Sequence, residues 1–243
     1  MDQISRFRNI INSRFYTSSI KAYKRWSENY DGETDNDNLM LTYDNLILKS
    51  LLSATDLRDK GILDYGCGTG RNWTELQKYN PVKIIGCDTS KEMLKKLNEK
   101  LPEADIHLVR NNKLLFLKNR SIDVLISTLV IAHIKDIRKI FCEWDRVLKK
   151  NSEIILTDFH PVLLEKGGER TFYYKNKTVK IRNYVHKIPE IESLLGEFGF
   201  KVNRKVEYKI DKEVKPFYEN HNAVNIYNKF YGTYFIYGIH LTR

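Results

Sequence analysis

The chain has 243 residues, which suits one α/β domain with terminal additions, and its 42% hydrophobic content can bury a core, excluding a disordered chain. Lys and Arg number 41 against 31 Asp and Glu, a formal charge of +10 that invites a nucleic-acid partner. The longest mostly apolar uncharged run, residues 124–132, is too short for a bilayer, and Arg6, Arg8 and Arg14 break up any secretory leader. The chain is therefore expected to be cytoplasmic, neither membrane-bound nor secreted.

Residues 1–55 carry apolar positions at helical spacing, first Ile4, Phe7, Ile10 and Ile11, then Leu46, Ile47, Leu51 and Leu52. A polar loop, residues 31–38, separates them. From Gly61 the pattern becomes short apolar runs (62–65, 82–87, 105–109, 122–127, 153–158) alternating with helical stretches at 71–79, 91–100 and 134–148. Buried parallel strands joined by crossover helices give this rhythm, because both sheet faces are covered. After Phe159 the rhythm breaks. Gly167-Gly168 and two β-prone runs, 171–174 and 178–182, predict a hairpin turning at 175–177. A helix over 189–198 begins with proline and stops at Gly199. Two last strands are expected near 201–210 and 234–241, and the aromatic, polar stretch 216–231 between them should lie over something.

Cys67, Cys87 and Cys142 are too few and too scattered for a disulfide framework or a zinc cage, so no metal site is expected. The basic doublets Lys95-Lys96, Lys149-Lys150 and Arg204-Lys205 fall near element ends and read as solvated faces. Lys175, Lys177, Lys180 and Arg182, interleaved with Tyr173, Tyr174 and Tyr184, suit a phosphate or acidic substrate as well as a solvated hairpin.

The sharpest local signal is Asp64-Tyr65-Gly66-Cys67-Gly68-Thr69-Gly70, directly after a strand. Glycines there permit positive φ and let backbone approach a ligand. The next strand ends at Gly86-Cys87-Asp88, where a carboxylate can accept from ribose hydroxyls. A nicotinamide fingerprint would need glycine where Arg71 or Trp73 stands, and a Walker loop would need a lysine that the segment lacks. Asp64 is poorly placed for a phosphate and well placed for a cationic ammonium group.

These residues resemble the first motif of the class I S-adenosylmethionine-dependent methyltransferases, acid-x-Gly-x-Gly-x-Gly. The resemblance continues through Gly86-Cys87-Asp88-Thr89-Ser90, Ser121-Ile122-Asp123-Val124-Leu125 and Arg146-Val147-Leu148-Lys149-Lys150, with Tyr23 to Asp31 similar to the entry segment of the small-molecule branch. It implies a doubly wound, Rossmann-like α/β fold: a seven-stranded, mostly parallel sheet with helices on both faces. An N-terminal helical lid (1–55) would precede the cofactor domain (56–243), with a hairpin insertion (162–188) after the fifth strand of the sheet. It also implies S-adenosylmethionine as cofactor, with Asp64 and Gly66, Gly68 and Gly70 on the methionine part, Asp88 on the ribose and Asn111 at the adenine. Cys67, Thr89, Met93, Asn112 and Thr128 join this set, and Tyr23, Trp26 and Tyr30 form an aromatic lid able to contact the sulfonium. Two departures stand out: Asn111 occupies a position usually held by aspartate, and Asn151-Ser152 replaces a customary glycine pair.

The acceptor is less legible, because in-line methyl transfer needs mainly placement of the acceptor. The Asn/Asp-Pro-Pro-aromatic box of base N-methyltransferases is absent from Ser127-Thr128-Leu129-Val130. His133, His160 and His186 are the candidate catalytic groups, His160 foremost because Asp158-Phe159-His160-Pro161 sets an imidazole at the carboxyl end of a strand. The expected function is methyl transfer to an oxygen, nitrogen or carbon of a small molecule by a monomer or homodimer. RNA methylation and a non-catalytic cofactor-binding protein are the alternatives.

Overall fold

The computed structural model describes residues 16–28, 30–32, 38–175 and 177–243. The apolar set Ile4, Phe7, Ile10 and Ile11 and most of the expected loop 31–38 lie outside them. In chain order come β1 (Tyr16–Thr17), α1 (Ser19–Trp26), α2 (Leu39–Leu52), β2 (Gly61–Tyr65), α3 (Trp73–Gln77), β3 (Lys83–Asp88), α4 (Lys91–Lys100) and β4 (Asp105–Leu108). Then follow β5 (Ile122–Thr128), α5 (Ile137–Val147), β6 (Leu148–Phe159), α6 (Pro161–Glu165), β7 (Arg170–Tyr174) and β8 (Lys177–Ile181). The last are α7 (Ile188–Gly196), β9 (Lys201–Lys209), α8 (Lys215–Asn220), α9 (Val224–Phe230) and β10 (Tyr234–Thr242). No helix among the described residues is long and apolar enough to cross a membrane.

Seven strands form the main sheet in the order β4-β3-β2-β5-β6-β10-β9; β10 is antiparallel to both neighbours and the other pairs are parallel. This is the doubly wound architecture expected. The apolar runs are buried on both faces. Leu63 and Leu125 pack with Phe141 and Trp144 of α5 and Ile191 of α7 on one face, while Ile62 and Ile126 pack with Ile47 and Leu51 of α2 on the other. Gly238 lets α2 settle onto the sheet: a Cβ there would lie 2.2 Å from Ile47 Cγ2.

Three elements depart from their expected bounds for identifiable reasons. The helix expected over 71–79 is only α3, because the side chains before it are committed elsewhere: Arg71 Nη1 donates to Asn45 Oδ1 (2.8 Å) and Asn72 Nδ2 to Thr128 Oγ1 (3.0 Å). The helix expected from 134 starts at Ile137, behind Asp136, whose carboxylate accepts from the Lys139 N–H. The stretch 216–231 forms α8 and α9, which bury Tyr227 and Phe230 against the α2 face. The hairpin forms as β7–β8, and β1 adds to β8 in parallel, pairing Tyr16 with Lys180 and Thr17 with Ile181. Nothing in the pattern of residues 16–17 announces that pairing. Trp26 of α1 stacks on Phe172 of β7 (centroids 4.9 Å, planes 7° apart), so the N-terminal segment and the insertion share one small core.

Asp44 of α2 is fully buried and ties three elements together. Its Oδ2 pairs with Arg71 Nη2 at 2.5 Å, just beyond the glycine loop, and its Oδ1 accepts from the Thr157 hydroxyl of β6. Removing one partner of a buried pair leaves the other charge uncompensated, which costs about 3–5 kcal/mol. Asp44→Ala is expected to lower unfolding free energy by roughly that amount, and Asp44→Asn, which can still accept from Thr157, by less. Urea denaturation midpoints check both.

Candidate active site

Strand order reverses between β2 and β5, and in open α/β sheets ligands bind at such a switch point, outside the carboxyl ends of the strands. A cavity of about 490 Å³ lies there. One wall is the glycine loop. Gly66 (φ +80°) packs so tightly on the next wall that a Cβ would sit 2.3 Å from Val130 Cγ2, whereas at Gly68 (φ +55°) a Cβ would meet no protein atom within 4 Å. Gly68 lines the cavity, so that open space is room for a ligand. Asp88, at the end of β3, accepts from the Gly68 N–H on Oδ2 (3.0 Å) and from the Ser90 N–H on Oδ1 (2.7 Å). Burial pushes its pKa up, and those backbone donors oppose the shift. A carboxylate offers about four acceptor sites, so Asp88 keeps acceptor capacity for a ligand. Thr89, Met93, Asn112 and Thr128 complete this side, the Tyr65 hydroxyl reaching Asn112 Oδ1 at 3.4 Å.

The opposite wall begins at Leu129, whose φ of +59° is unusual for a residue with a side chain. Two bonds hold it: its N–H donates to Thr157 O (2.8 Å), and its carbonyl accepts from Arg170 Nη1 (2.8 Å). Arg170 starts β7 and is 5% exposed. The same Nη1 donates to His133 Nε2, and the Tyr23 hydroxyl lies 3.0 Å from that nitrogen. His133 therefore carries its proton on Nδ1, facing Arg182 O. Burial, reinforced by Arg170, holds its pKa well below the ordinary histidine value. Tyr23 and Tyr30 roof the cavity, and Tyr184 closes its far side.

The roof is fastened to the glycine loop. Thr69 donates its hydroxyl to Asp31 Oδ1 (2.6 Å), Lys100 lies 3.2 Å from Asp31 Oδ2, and Lys24 of α1 lies 3.4 Å from Glu92 of α4.

Of the residues expected at the cofactor, Tyr23, Tyr30, Gly66, Gly68, Asp88, Thr89, Met93, Asn112 and Thr128 line this cavity; Asp64, Cys67, Gly70 and Asn111 do not. Asp64 lies behind the loop, 1% exposed, its Oδ2 accepting from the Trp73 indole N–H (2.9 Å). Cys67 is buried behind the loop, where burial raises its thiol pKa well above the usual value, and Cys87 faces the cavity instead. A Cβ at Gly70 (φ +74°) would lie 2.4 Å from Leu97 Cδ1, so this glycine serves the packing of α4. Asn111 and Asn112 both take φ +57°, and the turn presents Asn112.

The histidines separate. His133 lines the cavity; His160 and His186 do not. Pro161 at the first turn of α6 makes His160 the N-cap, so the imidazole folds back rather than out to the mouth. Nδ1 accepts from the Val162 N–H (3.2 Å), Nε2 donates to Glu207 (2.9 Å), and the ring stacks on Tyr234. His186 Nε2 donates to the Ile134 carbonyl at 2.7 Å, clipping the chain after the hairpin to the segment before α5. Sequence reasoning missed Arg170 and Leu129. Arg170 follows an unremarkable Gly168-Glu169 and reaches the cavity only through folding of the insertion.

A doubly wound sheet with a glycine-loop cavity at its switch point defines an α/β domain of the nucleotide-binding kind. The family model for the methyltransferase domain matches residues 63–156. An uncharacterised methyltransferase of Emericella nidulans is 26% identical over 225 residues, 77% of each chain. A ubiquinone/menaquinone biosynthesis C-methyltransferase of Campylobacter jejuni is 31% identical over 140 residues, 54% of this chain and 58% of that protein. The crystal structure of a putative S-adenosylmethionine-dependent methyltransferase from Listeria monocytogenes shares the fold, with a TM-score of 0.63 and 18% identity over 82% of this chain and 97% of that one. Residues 63–156 thus carry a methyltransferase domain, and the chain is an enzyme whose fold is that of solved S-adenosylmethionine-dependent methyltransferases.

Asp64 generates a pH-dependent expectation. Its Oδ1 is sealed without a hydrogen-bond partner, and burial raises its pKa to about 7 from 3.8. Between those values the folded chain holds a proton that the unfolded chain has released, so this group's contribution to stability falls as pH rises from about 4 to 7. Asp64→Asn keeps an acceptor for Trp73 and carries no charge. Its urea midpoint relative to the unsubstituted protein is expected to rise between pH 5 and pH 8; a constant offset would show that Asp64 titrates normally.

Proposed function

We propose that the protein transfers a methyl group from S-adenosylmethionine to an oxygen, nitrogen or carbon of a small molecule. The observation that carries this is one roofed cavity, in which the glycine loop and Asp88 share about 490 Å³ with Leu129, His133, Arg170 and Tyr184. Sites of that size hold small ligands. The roof of Tyr23 and Tyr30, fastened through Asp31 to Thr69, supports a small molecule over RNA.

When bound, S-adenosylmethionine supplies an electrophilic methyl on a sulfonium, and the chain's own task is placement. The lone pairs left on Asp88 suit ribose hydroxyls, and the space at Gly68 lets a ligand approach the backbone. Asn112 offers an amide beside the same wall, and the rings of Tyr23 and Tyr30 present π faces of the kind that attract a cation. His133 is poorly suited to be a general base, because Arg170 donates to its Nε2 and its pKa is held low. The rate enhancement is assigned to proximity and orientation, which contribute up to ~7–11 kcal/mol in well-aligned systems.

Asp88→Ala removes an acceptor of charge-assisted hydrogen bonds, each on the order of 1.5–3 kcal/mol. Calorimetry with S-adenosylhomocysteine is expected to show the dissociation constant rising roughly 10- to 100-fold, and an unchanged value in a folded variant would remove Asp88 from the site. With tritiated S-adenosylmethionine, label should pass into a small-molecule extract. Label entering total RNA instead would overturn the acceptor class.

A further inference from the structure

Arg170 is a cation buried beside the acceptor wall with no carboxylate within ion-pair distance among the described residues. Burying an unpaired guanidinium is costly. Its direct contacts inside the protein are all neutral: the Leu129 carbonyl, His133 Nε2, and the ring faces of Phe159 at 4.8 Å and Tyr23 at 5.9 Å. Asp158 attracts Arg170 through space but lies beyond ion-pair distance, its Oδ2 accepting from the Ala132 N–H and its Oδ1 from the Phe159 N–H, both at 2.7 Å. All the hydrogen bonds that Arg170 makes use Nη1. Nη2 and Nε make none to any described residue, and neither is sealed away as a buried unpartnered atom. The free edge of the fork therefore touches open space.

We propose that the acceptor carries a carboxylate group, received by the Nε–Nη2 edge of Arg170. This rests on the methyltransferase function proposed above and names the chemical class of its acceptor. The geometry fits a planar monoanion: two parallel N–H donors on one side of a fixed guanidinium match the two oxygens of a carboxylate. The surroundings fit as well. His133 cannot compete for the anion as a second cation, since Nδ1 donates to Arg182 O and Nε2 is an acceptor. Lys135 lines the exposed rim and adds positive potential at the entrance. Structural bracing of Leu129 alone would engage Nη1 and leave a charged edge unmet, and a neutral donor would suffice for it.

Benzoate and hexanoate, each paired with its carboxamide, and phenyl phosphate serve as probes of the protein saturated with S-adenosylhomocysteine, read by calorimetry. The carboxylates are expected to bind at least about tenfold more tightly than the amides, a gap of about 1.4 kcal/mol. Arg170→Gln is expected to erase that preference while changing the affinity for S-adenosylhomocysteine less than about threefold. Arg170→Lys keeps the charge without the fork and should fall between. The comparison in the unsubstituted protein needs no variant, so it stands even if Arg170→Gln fails to fold. Equal affinity for acid and amide, no binding of either acid, phenyl phosphate binding tighter than benzoate, or a preference that survives in Arg170→Gln would each overturn the proposal. S-adenosylhomocysteine is titrated first. If it does not bind, the methyltransferase function itself fails; if it binds and the carboxylate preference is missing, only the role of Arg170 fails.

Discussion

The bond from the Gly68 N–H to Asp88 Oδ2 fixes the glycine loop against the neighbouring strand, and the rest of the site is placed relative to it. A loop with positive φ at Gly66, Gly68 and Gly70 has many accessible shapes unless something outside it selects one. Asp88 selects it from the cavity side. From behind, Arg71 does so by reaching Asp44 and Asn45 on α2, while Trp73 reaches Asp64. The loop is thus gripped by charged or amide side chains from three elements, and α3 is short because the residues before it are used as anchors.

Such a grip requires carboxylates in the interior, which is costly unless each is well supplied with donors. Asp88 has two backbone donors, and Asp44 has Arg71 and Thr157. Asp64 has only the Trp73 indole, and burial raises its pKa to about 7. Burial raises the pKa of Asp88 as well, and its backbone donors oppose that shift.

The sheet and the loop were legible because their signals are local: glycine spacing, an acid at a strand end, apolar runs of strand length. Asp88 needed only its position after a strand, and the structure sets it on the cavity. His160 shows the limit of such reasoning. Its place at the carboxyl end of β6 is where the sequence puts it, yet the direction of its ring depends on the cap geometry that Pro161 imposes and on Glu207, far along the chain. Arg170 was illegible for a related reason. Its contacts with Leu129, His133 and Phe159 all cross between the insertion and the sheet, and no periodicity within residues 162–188 encodes them. The pairing of β1 with β8 has the same character: two residues of strand are decided by what they meet.

Val130 stands where the two halves of the cavity touch, its methyl groups filling the space that a Gly66 side chain would take. A larger residue at 130 would push on the glycine loop, and a smaller one would loosen it, so that wall has little freedom to drift. The insertion meets the opposite wall through Arg170 and Tyr184 and shares a small core, Trp26, Phe172 and Ile181, with the N-terminal helix. The two walls are therefore held by different means, side-chain volume at the glycine loop and directional bonds from Arg170 to Leu129 and His133 opposite it, so exchanging the hairpin would release residue 129 from its left-handed conformation.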